Sequence, residues 1–398
     1  MAIDASFDSP GIFRRYIERN ARYALSLIKV PASQPLSRKK LTIAFQALQY
    51  TLALPELWAF SKQLLLALAP QMELLDLRVL WLPYLKEGLR QSLNQHDEEA
   101  ELSLRYYLGN FLREANAYDE AIEQYTRGMV LAEKRGDVGM KVRLLNRYAF
   151  ALRRKGDLDR AEEYANLALS LAENEPIEQG YSNLVLGAVR YDQRRWDSCL
   201  TYASRALEIW LEHDAGRNLA WAYTNLGVTL WRKGELEKAK KYLESGIRIF
   251  EEIGDIVHQA SAKMNMGAVL IEANEPERAL SYLAEAEKVF HAIQDKRRMA
   301  MVANNLAHVY QMMGIYDDAL DAFQQSVSLW QAVGEPARAL NVLHSVISLL
   351  LDMGEIQHAQ KLLQEAYLEL ASIEGHPDYE RLVTDFERLE MKTTVVAD

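Results

Sequence analysis

Asparagine recurs in this chain at a spacing that keeps carboxamide groups in register. The residues are Asn225, Asn265 and Asn305, each forty positions after the last. A carboxamide carries both a donor and an acceptor, so it can pair with the carbonyl and N–H groups of a peptide backbone whatever the neighbouring side chains are. Asparagine is also a mediocre residue for the middle of a helix. This set, called the asparagine ladder below, is therefore suited either to hold another backbone or to bond its own neighbours.

Cations and aromatic rings stand upstream of the ladder. They are Arg143, Arg147, Tyr181 and Trp221. A guanidinium fork beside aromatic walls would suit an acidic or carboxylate-bearing segment. Intramolecular pairing with Glu114, Asp192 or Glu272 accounts for the arginines equally well. Asn304 and His308 continue the polar strip beside Asn305.

No signature of catalysis or of cofactor binding accompanies these residues. The chain has no phosphate-binding glycine loop, GxSxG turn, HExxH pair or dinucleotide fingerprint. His308 and His344 could be neighbours, but they lack the carboxylate or cysteine support of a metal site. The single cysteine, Cys199, excludes an intrachain disulfide framework and fits a small buried position. We therefore expect a protein that is not an enzyme and has no cofactor and no metal.

A repeat of about 40 residues must position the polar residues. Its first mark is a Leu-Gly or similar pair: Leu108-Gly109, Tyr148-Ala149, Leu186-Gly187, Leu226-Gly227, Met266-Gly267, Leu306-Ala307 and Val346-Ile347. Twelve residues after each pair comes a small residue: Ala121, Ala161, Cys199, Ala239, Ala279, Ala319 and Ala359. A register kept over this length indicates stacked units and not a globule with one pocket.

Each unit is expected to be a helical hairpin. Apolar residues recur at helical spacing on both sides of the turn, and Gly227 removes a side chain where the partner helix must come close. A residue that tolerates a left-handed conformation ends the first helix in most units, namely Asn116, Gly156, Gly234, Asn274, Gly314 and Gly354. Arg194 is the exception. A single hairpin buries too little apolar surface, so neighbouring hairpins must stack.

These units resemble tetratricopeptide repeats. In the first full unit the signature residues are Leu108, Gly109, Leu112, Ala121, Tyr125 and Gly128. The period is longer than the common 34 residues and is similar to that of kinesin light chain-type and bacterial sensor or regulator arrays. The resemblance implies an all-α fold, a right-handed α-α superhelix (a tetratricopeptide solenoid) of seven repeats, with a degenerate N-terminal hairpin and helical caps.

The resemblance also implies where a ligand would bind. The first helices of such hairpins line a concave groove, and ligand contacts come from residues near the Leu-Gly pair. We therefore expect peptide or partner contact at Asn225, Asn265, Asn305, Arg143, Arg147, Tyr181, Trp221, Asn304 and His308. Whether the ladder binds a ligand or only aligns the repeats stays open at this point.

The segments outside the repeats have their own patterns. We expect an N-terminal helical cap or small module at 1–54, with helices at 9–29 and 37–53, and a degenerate hairpin at 55–101 whose first helix is bracketed by Pro55 and Pro70. The remaining boundaries are seven repeats at 102–375, a C-terminal capping helix at 376–390 and a flexible tail at 391–398.

Charge and hydropathy limit the partners and the cellular location that we expect for the protein. The net charge is −10, yet residues 1–45 hold eight Lys or Arg against three acidic residues, which leaves the remainder near −15. Broad nucleic-acid binding by the repeats is therefore not expected, and the segment LTIAFQALQYTLAL is too apolar for a DNA recognition helix. No apolar run suggests a secretory signal or a membrane span. The expected location is the cytoplasm, and stacking of exposed repeat ends would allow a homodimer.

Two functions follow from these patterns. The first is a non-enzymatic protein- or peptide-binding scaffold that uses the concave groove. The alternative is a peptide- or partner-sensing regulatory subunit of a bacterial signalling, transcription or defence system, in which residues 1–54 would be an output module and not a cap.

Overall fold

The computed structural model of this protein describes residues 9–29, 36–75, 77–213 and 216–395. In these ranges the protein forms α-helices and two short 3₁₀ turns, and it contains no strand. The expected all-α class is confirmed. The protein divides into two compact units: unit 1 comprises Met1–Lys233 with Arg248–Ile256, and unit 2 comprises Gly234–Ile247 with Val257–Asp398.

The helices follow one another with short connections. In unit 1 they are α1 (Ser9–Leu27), α2 (Arg38–Leu52), α3 (Trp58–Leu74), α4 (Arg78–Asn94), α5 (Glu98–Glu114), α6 (Tyr118–Arg135), α7 (Val138–Arg154), α8 (Leu158–Leu171), α9 (Pro176–Asp192), α10 (Trp196–Glu212) and α11 (Gly216–Arg232). Helix α12 (Leu236–Glu252) has residues in both units. Unit 2 continues with α13 (Ile256–Glu272), α14 (Pro276–Ala292), α15 (Lys296–Met312), α16 (Tyr316–Ala332), α17 (Pro336–Asp352), α18 (Ile356–Leu370) and α19 (Tyr379–Val395). The 3₁₀ turns are Pro55–Leu57 and Ala371–Ile373.

Consecutive helices pack in pairs within each unit. In unit 1 these pairs are α5 with α6, α7 with α8, and α9 with α10; in unit 2 they include α15 with α16 and α17 with α18. The second helix of a pair also packs on the first helix of the next, as α6 does on α7 and α16 does on α17. The repeating helical hairpin is thus confirmed.

The small residues of the repeat mark where the two helices of a hairpin approach. A Cβ added at Gly267 would come within 2.6 Å of the Leu283 side chain, and one at Gly187 within 3.4 Å of the Cys199 carbonyl oxygen. The small residues of the second helices, Ala121, Ala161, Cys199, Ala239, Ala279, Ala319 and Ala359, are all buried. A larger residue at either place would push the helices apart.

The turn inside each hairpin requires a left-handed residue. The backbone φ lies between 59° and 87° at Asn116, Gly156, Arg194, Gly234, Asn274, Gly314 and Gly354. Arg194, which the sequence sets apart from the others, takes the same conformation as the glycines. Hairpin packing therefore imposes the turn geometry even on a residue that disfavours it.

The N-terminal helices match their expected positions, with one difference. Helices α1 and α2 lie within the expected 9–29 and 37–53, but Pro70 does not end α3, which continues to Leu74. Proline removes one helical hydrogen bond. Leu65, Leu68 and Met72 are buried around it, so packing holds the helix together.

Helix α19 occupies the place of the expected C-terminal capping helix. It continues to Val395, into the segment expected as a tail, and it packs on α17 and α18. Leu382, Phe386 and Leu389 form its buried stripe. Among all the helices in the described ranges, none has the length and apolar character to cross a membrane.

Candidate functional site

The first helices of successive hairpins contact one another in unit 1. Helix α5 contacts α7, α7 contacts α9, and α9 contacts α11. Side chains just before each Leu-Gly pair, and about four residues earlier, therefore meet on one face, called the inner face below. The sequence placed the candidate binding residues on this side of the hairpins.

Arg147 on α7 lies at the centre of the inner face of unit 1. Its guanidinium carbon lies 3.5 Å from the centre of the Tyr181 ring. Its Nη1 donates to Glu178 Oε2 at 3.3 Å, and its Nη2 donates to the Tyr106 hydroxyl at 3.3 Å. Burial is the largest influence and lowers the pKa of Arg147, but Glu178 and the nearby tyrosine hydroxyls together raise that pKa well above its ordinary value. Arg147 therefore links α5, α7 and α9.

Asn146, next to Arg147, completes the link between α7 and α9. Its Nδ2 donates to the Glu178 carbonyl oxygen at 3.0 Å and to Glu178 Oε2 at 2.9 Å. The Ser182 hydroxyl donates to Asn146 Oδ1 at 2.8 Å. All three residues are buried, so both ends of the carboxamide are engaged away from water.

Arg113 reaches across the same face from α5. Its Nη1 donates to the Tyr181 hydroxyl on α9 at 3.2 Å, and its Nη2 donates to Glu114 Oε1 at 2.6 Å. The guanidinium carbon lies 4.9 Å from the centre of the Phe150 ring. Tyr181 thus receives one guanidinium on its face and another at its hydroxyl, which closes this part of the inner face with the protein's own side chains.

Glu73, at the end of α3, adds a carboxylate to the inner face of unit 1. Asn110 Nδ2 donates to Glu73 Oε1 at 3.2 Å, and the Tyr125 hydroxyl donates to Asn110 Oδ1 at 2.9 Å. Burial raises the pKa of Glu73, although the positive charges of Arg217, Arg113 and Arg147 act in the opposite direction.

The other predicted residues of unit 1 differ in their exposure and in the contacts that they make within the protein. Arg143 is exposed and makes no hydrogen bond or ion pair within the described residues. Trp221 packs edge-on to Tyr181, with ring centres 6.2 Å apart. The Asn225 Nδ2 donates to the Trp221 carbonyl oxygen of its own helix at 2.8 Å. Of this group, Arg143 is the most accessible.

The predicted residues of unit 2 make fewer hydrogen bonds than those of unit 1 within the described residues. Asn265, Asn304 and Asn305 are half-buried, and their carboxamides make no hydrogen bond within the part of the protein that the structure describes. His308 packs edge-on against Phe323, with ring centres 5.0 Å apart, and burial lowers its pKa. The neighbouring positions 304 and 305 on α15 thus present two carboxamides with both donors and acceptors available.

The repeat register explains why the two units differ. Asn304 and Asn146 stand at the same place, two residues before their pairs. The partners of Asn146, Glu178 and Ser182, correspond to Arg338 and Val342 in unit 2. The side chains of an arginine and a valine offer Asn304 neither a carboxylate acceptor nor a hydroxyl donor, which fits its open carboxamide.

Sequence comparison agrees with this repeating architecture. One tetratricopeptide repeat family model matches residues 177–252 and 298–367, and a second matches residues 142–175. Both fall on the hairpins described above. The protein is a tetratricopeptide repeat protein. No curated protein sequence matches it significantly.

Solved structures share the fold of this tetratricopeptide repeat protein. A Rap protein complexed with competence and sporulation factor is similar at a TM-score of 0.61 and 16% identity, over 95% of this protein and 99% of that one. The Rap conjugation gene regulator of the plasmid pLS20, in complex with the Phr* peptide, is similar at 0.57 and 15% identity, over 92% and 97%. A STAND protein with a tetratricopeptide repeat sensor from Pyrococcus horikoshii reaches 0.55 at 14% identity, over 89% and 55%.

Several residues of the tetratricopeptide inner face were not expected from the sequence. They are Glu73, Asn110, Asn146, Glu178 and Ser182. The signal for Glu178 was available, because it is the only acid among the seven residues that stand eight positions before the Leu-Gly pairs: Ala100, Met140, Glu178, Asn218, His258, Arg298 and Arg338. Within the described ranges, no group of three His, Cys, Asp or Glu could hold a metal ion.

Proposed function

We propose that this tetratricopeptide repeat protein is a cytoplasmic, non-enzymatic receptor for a peptide or an extended protein segment. The observation that carries the proposal is the set of open carboxamides on the first helices of the hairpins of unit 2, at Asn265, Asn304 and Asn305. An extended peptide leaves N–H and C=O groups unpaired along its length, and each carboxamide can satisfy one of either kind. Recognition would therefore rest first on the peptide backbone.

Unit 1 offers a separate candidate contact of its own. Arg143 is the exposed cation of the predicted set, and it would attract an acidic or carboxylate-bearing segment, with Trp221 as an aromatic wall. Arg147 and Tyr181 already contact each other, and Arg147 also contacts Glu178. We assign these two residues the role of holding α7 against α9.

A regulatory role is the form of this proposal that the comparisons favour. Two solved structures that are similar over more than nine-tenths of this protein are a Rap protein with competence and sporulation factor and a Rap gene regulator with the Phr* peptide. We infer by this likeness that peptide binding controls contact with a second protein. The helices α1 and α2 are the candidate output module in that case.

The test uses peptides selected from a random phage-displayed library by the purified full-length protein. Affinity for a selected synthetic peptide is then measured with wild type, Asn265→Ala/Asn305→Ala and the control Asn174→Ala, whose asparagine lies exposed between α8 and α9. We expect the double variant to bind at least about tenfold more weakly, because several hydrogen bonds are lost, while the control is unchanged. Methylation of the peptide's backbone nitrogens should weaken binding as well.

Other outcomes would count against the proposal. Equal affinity of the double variant and wild type would exclude backbone recognition by the ladder. Asn225→Ala, measured alone, tests the member of the predicted ladder that lies in unit 1; its amide already donates to Trp221, so a smaller loss is expected.

A further inference from the structure

Helix α1 has an exposed apolar stripe in addition to its buried one. Ile17, Ala21 and Ala24 are buried, whereas Ile12, Tyr16 and Tyr23 are 48%, 62% and 56% exposed. The exposed three are separated by four and seven residues, so they lie along one side of the helix. Exposed aromatic and aliphatic side chains gathered on one side are typical of interaction surfaces.

Positive charge borders this stripe, which is called the α1 stripe below. Arg15 and Arg19 are exposed and make no ion pair within the described residues. Arg14 and Arg22 both pair with Glu18, so that one carboxylate serves two guanidinium groups. The α1 stripe is therefore an apolar strip with a basic border.

The turn between α15 and α16 in unit 2 carries a second exposed apolar patch. Met312, Met313, Ile315 and Tyr316 are each between 37% and 46% exposed. The position of Met312 is charged in all six other repeats, where it holds Glu114, Arg154, Asp192, Arg232, Glu272 and Asp352. Tetratricopeptide packing does not require apolar residues at this turn, so the patch, called the methionine turn below, needs another explanation.

Negative charge borders the methionine turn. Asp317, Asp318 and Asp321 are exposed and have no ion pair within the described residues. In two repeats of unit 1 the acid equivalent to Asp317 pairs with a lysine thirty-six residues later: Lys155 pairs with Asp119, and Lys233 pairs with Asp197. The corresponding residue for Asp317 is Met353. Because a methionine stands in place of that lysine, Asp317 has no basic residue there with which to form an ion pair.

We propose that the α1 stripe of one molecule docks on the methionine turn of a second copy of this protein. The apolar residues would meet at the centre, and Arg15 and Arg19 would face Asp317 and Asp318 around it. Because the two surfaces are different, the contact forms either reciprocally in a two-fold dimer or head-to-tail in a ring or an open assembly. Each surface is small, so the association belongs to the weak class of interfaces. The proposal does not depend on peptide binding.

The mass of the full-length protein is measured by sedimentation equilibrium over a range of protein concentrations. We expect the average mass to rise with concentration at low salt and to fall when salt screens the charged borders. Arg15→Glu/Arg19→Glu and Asp317→Lys/Asp318→Lys should each remain monomeric. The control Arg127→Glu/Arg205→Glu, which alters two exposed arginines elsewhere in unit 1, should associate as wild type does.

Restoration experiments separate this contact from any other. The protein with all four substitutions has the charges exchanged between its two surfaces, so it should associate again, and so should an equal mixture of the two charge-reversed variants. A wild type that stays monomeric at every concentration would overturn the proposal. Association that depends on only one of the two surfaces, or that neither restoration recovers, would overturn it as well.

Discussion

The second repeat in unit 1 and the sixth in unit 2 place polar residues at the same two positions and use them differently. The second repeat has Asn146 and Arg147, both bonded to Glu178 of the next first helix. The sixth repeat has Asn304 and Asn305, which make no hydrogen bond within the described residues. Side chains at the same positions of the hairpin therefore bond to a neighbouring helix in unit 1 and keep their carboxamides open in unit 2.

This difference shows that the following hairpin decides the role of an inner-face residue. Glu178 accepts from its neighbours, whereas the equivalent Arg338 pairs with Glu335 and lies over the Trp330 ring. The side chain of an arginine cannot accept a hydrogen bond. The residues of one repeat are therefore available for ligands only where the next repeat offers them no partner.

The largest expected effect is the loss of Glu178. Glu178→Ala leaves Arg147 buried without its carboxylate and removes one of the two acceptors of the Asn146 amide, and we expect the free energy of unfolding to fall by about 3 kcal/mol. Urea unfolding followed by circular dichroism measures the change. Glu208→Ala removes an exposed carboxylate that pairs with Arg205, and it should cost under about 1 kcal/mol. Similar losses for the two variants would contradict the structural role of Glu178 in the inner face of unit 1.

A matched pair of asparagine variants gives the next largest effect. Asn146→Ala leaves the Ser182 hydroxyl and the Glu178 carbonyl oxygen without this partner, and we expect a loss of about 2 kcal/mol. Asn304→Ala removes no hydrogen bond and improves helix propensity, so stability should rise by up to about 0.6 kcal/mol. The same unfolding experiment measures both. Destabilisation by Asn304→Ala would mean that the open carboxamides align the repeats after all.

The smallest effect is a dependence on pH. Burial raises the pKa of Glu73 above its ordinary value of 4.5, so the folded protein binds this proton more tightly than the unfolded protein does. The free energy of unfolding should therefore fall as pH rises from about 4.5 through the raised pKa. Glu73→Gln should remove that fall when unfolding is followed across this range, while the exposed Glu56→Gln should retain it. Equal slopes for wild type and Glu73→Gln would contradict the assignment.

Unit 2 supplies a titrating group of opposite sign. Burial lowers the pKa of His308 from its ordinary value of 6.5, so the unfolded protein binds its proton more tightly than the folded protein does. The contribution of His308 to stability is present above about pH 6.5 and is lost as pH falls below that value. His308→Gln should reduce the loss of stability on the acid side, as measured by urea unfolding at a series of pH values.

Much of the fold was predictable because it depends on local patterns. The Leu-Gly pairs, the buried small residues and the left-handed turns each report a requirement of one hairpin, and all recur in register. Pro70 was misjudged because its helix is held by tertiary burial, which overrides a local signal. The asparagine ladder and the arginines were predicted to lie on the ligand side of the hairpins, but the hydrogen bonds that they make could not be read from their own repeat.

The sequence by itself determined that this protein is a succession of helical hairpins and which side of each hairpin carries its polar residues, because helical spacing and turn chemistry act over short distances along the backbone. Only the tertiary structure decided which of those residues already have hydrogen-bond partners within the protein. Hydrogen bonds such as Asn146 to Glu178 and Arg113 to Tyr181 join residues more than thirty positions apart. They depend on side-chain reach and burial, and so they separate the closed inner face of unit 1 from the open carboxamides of unit 2.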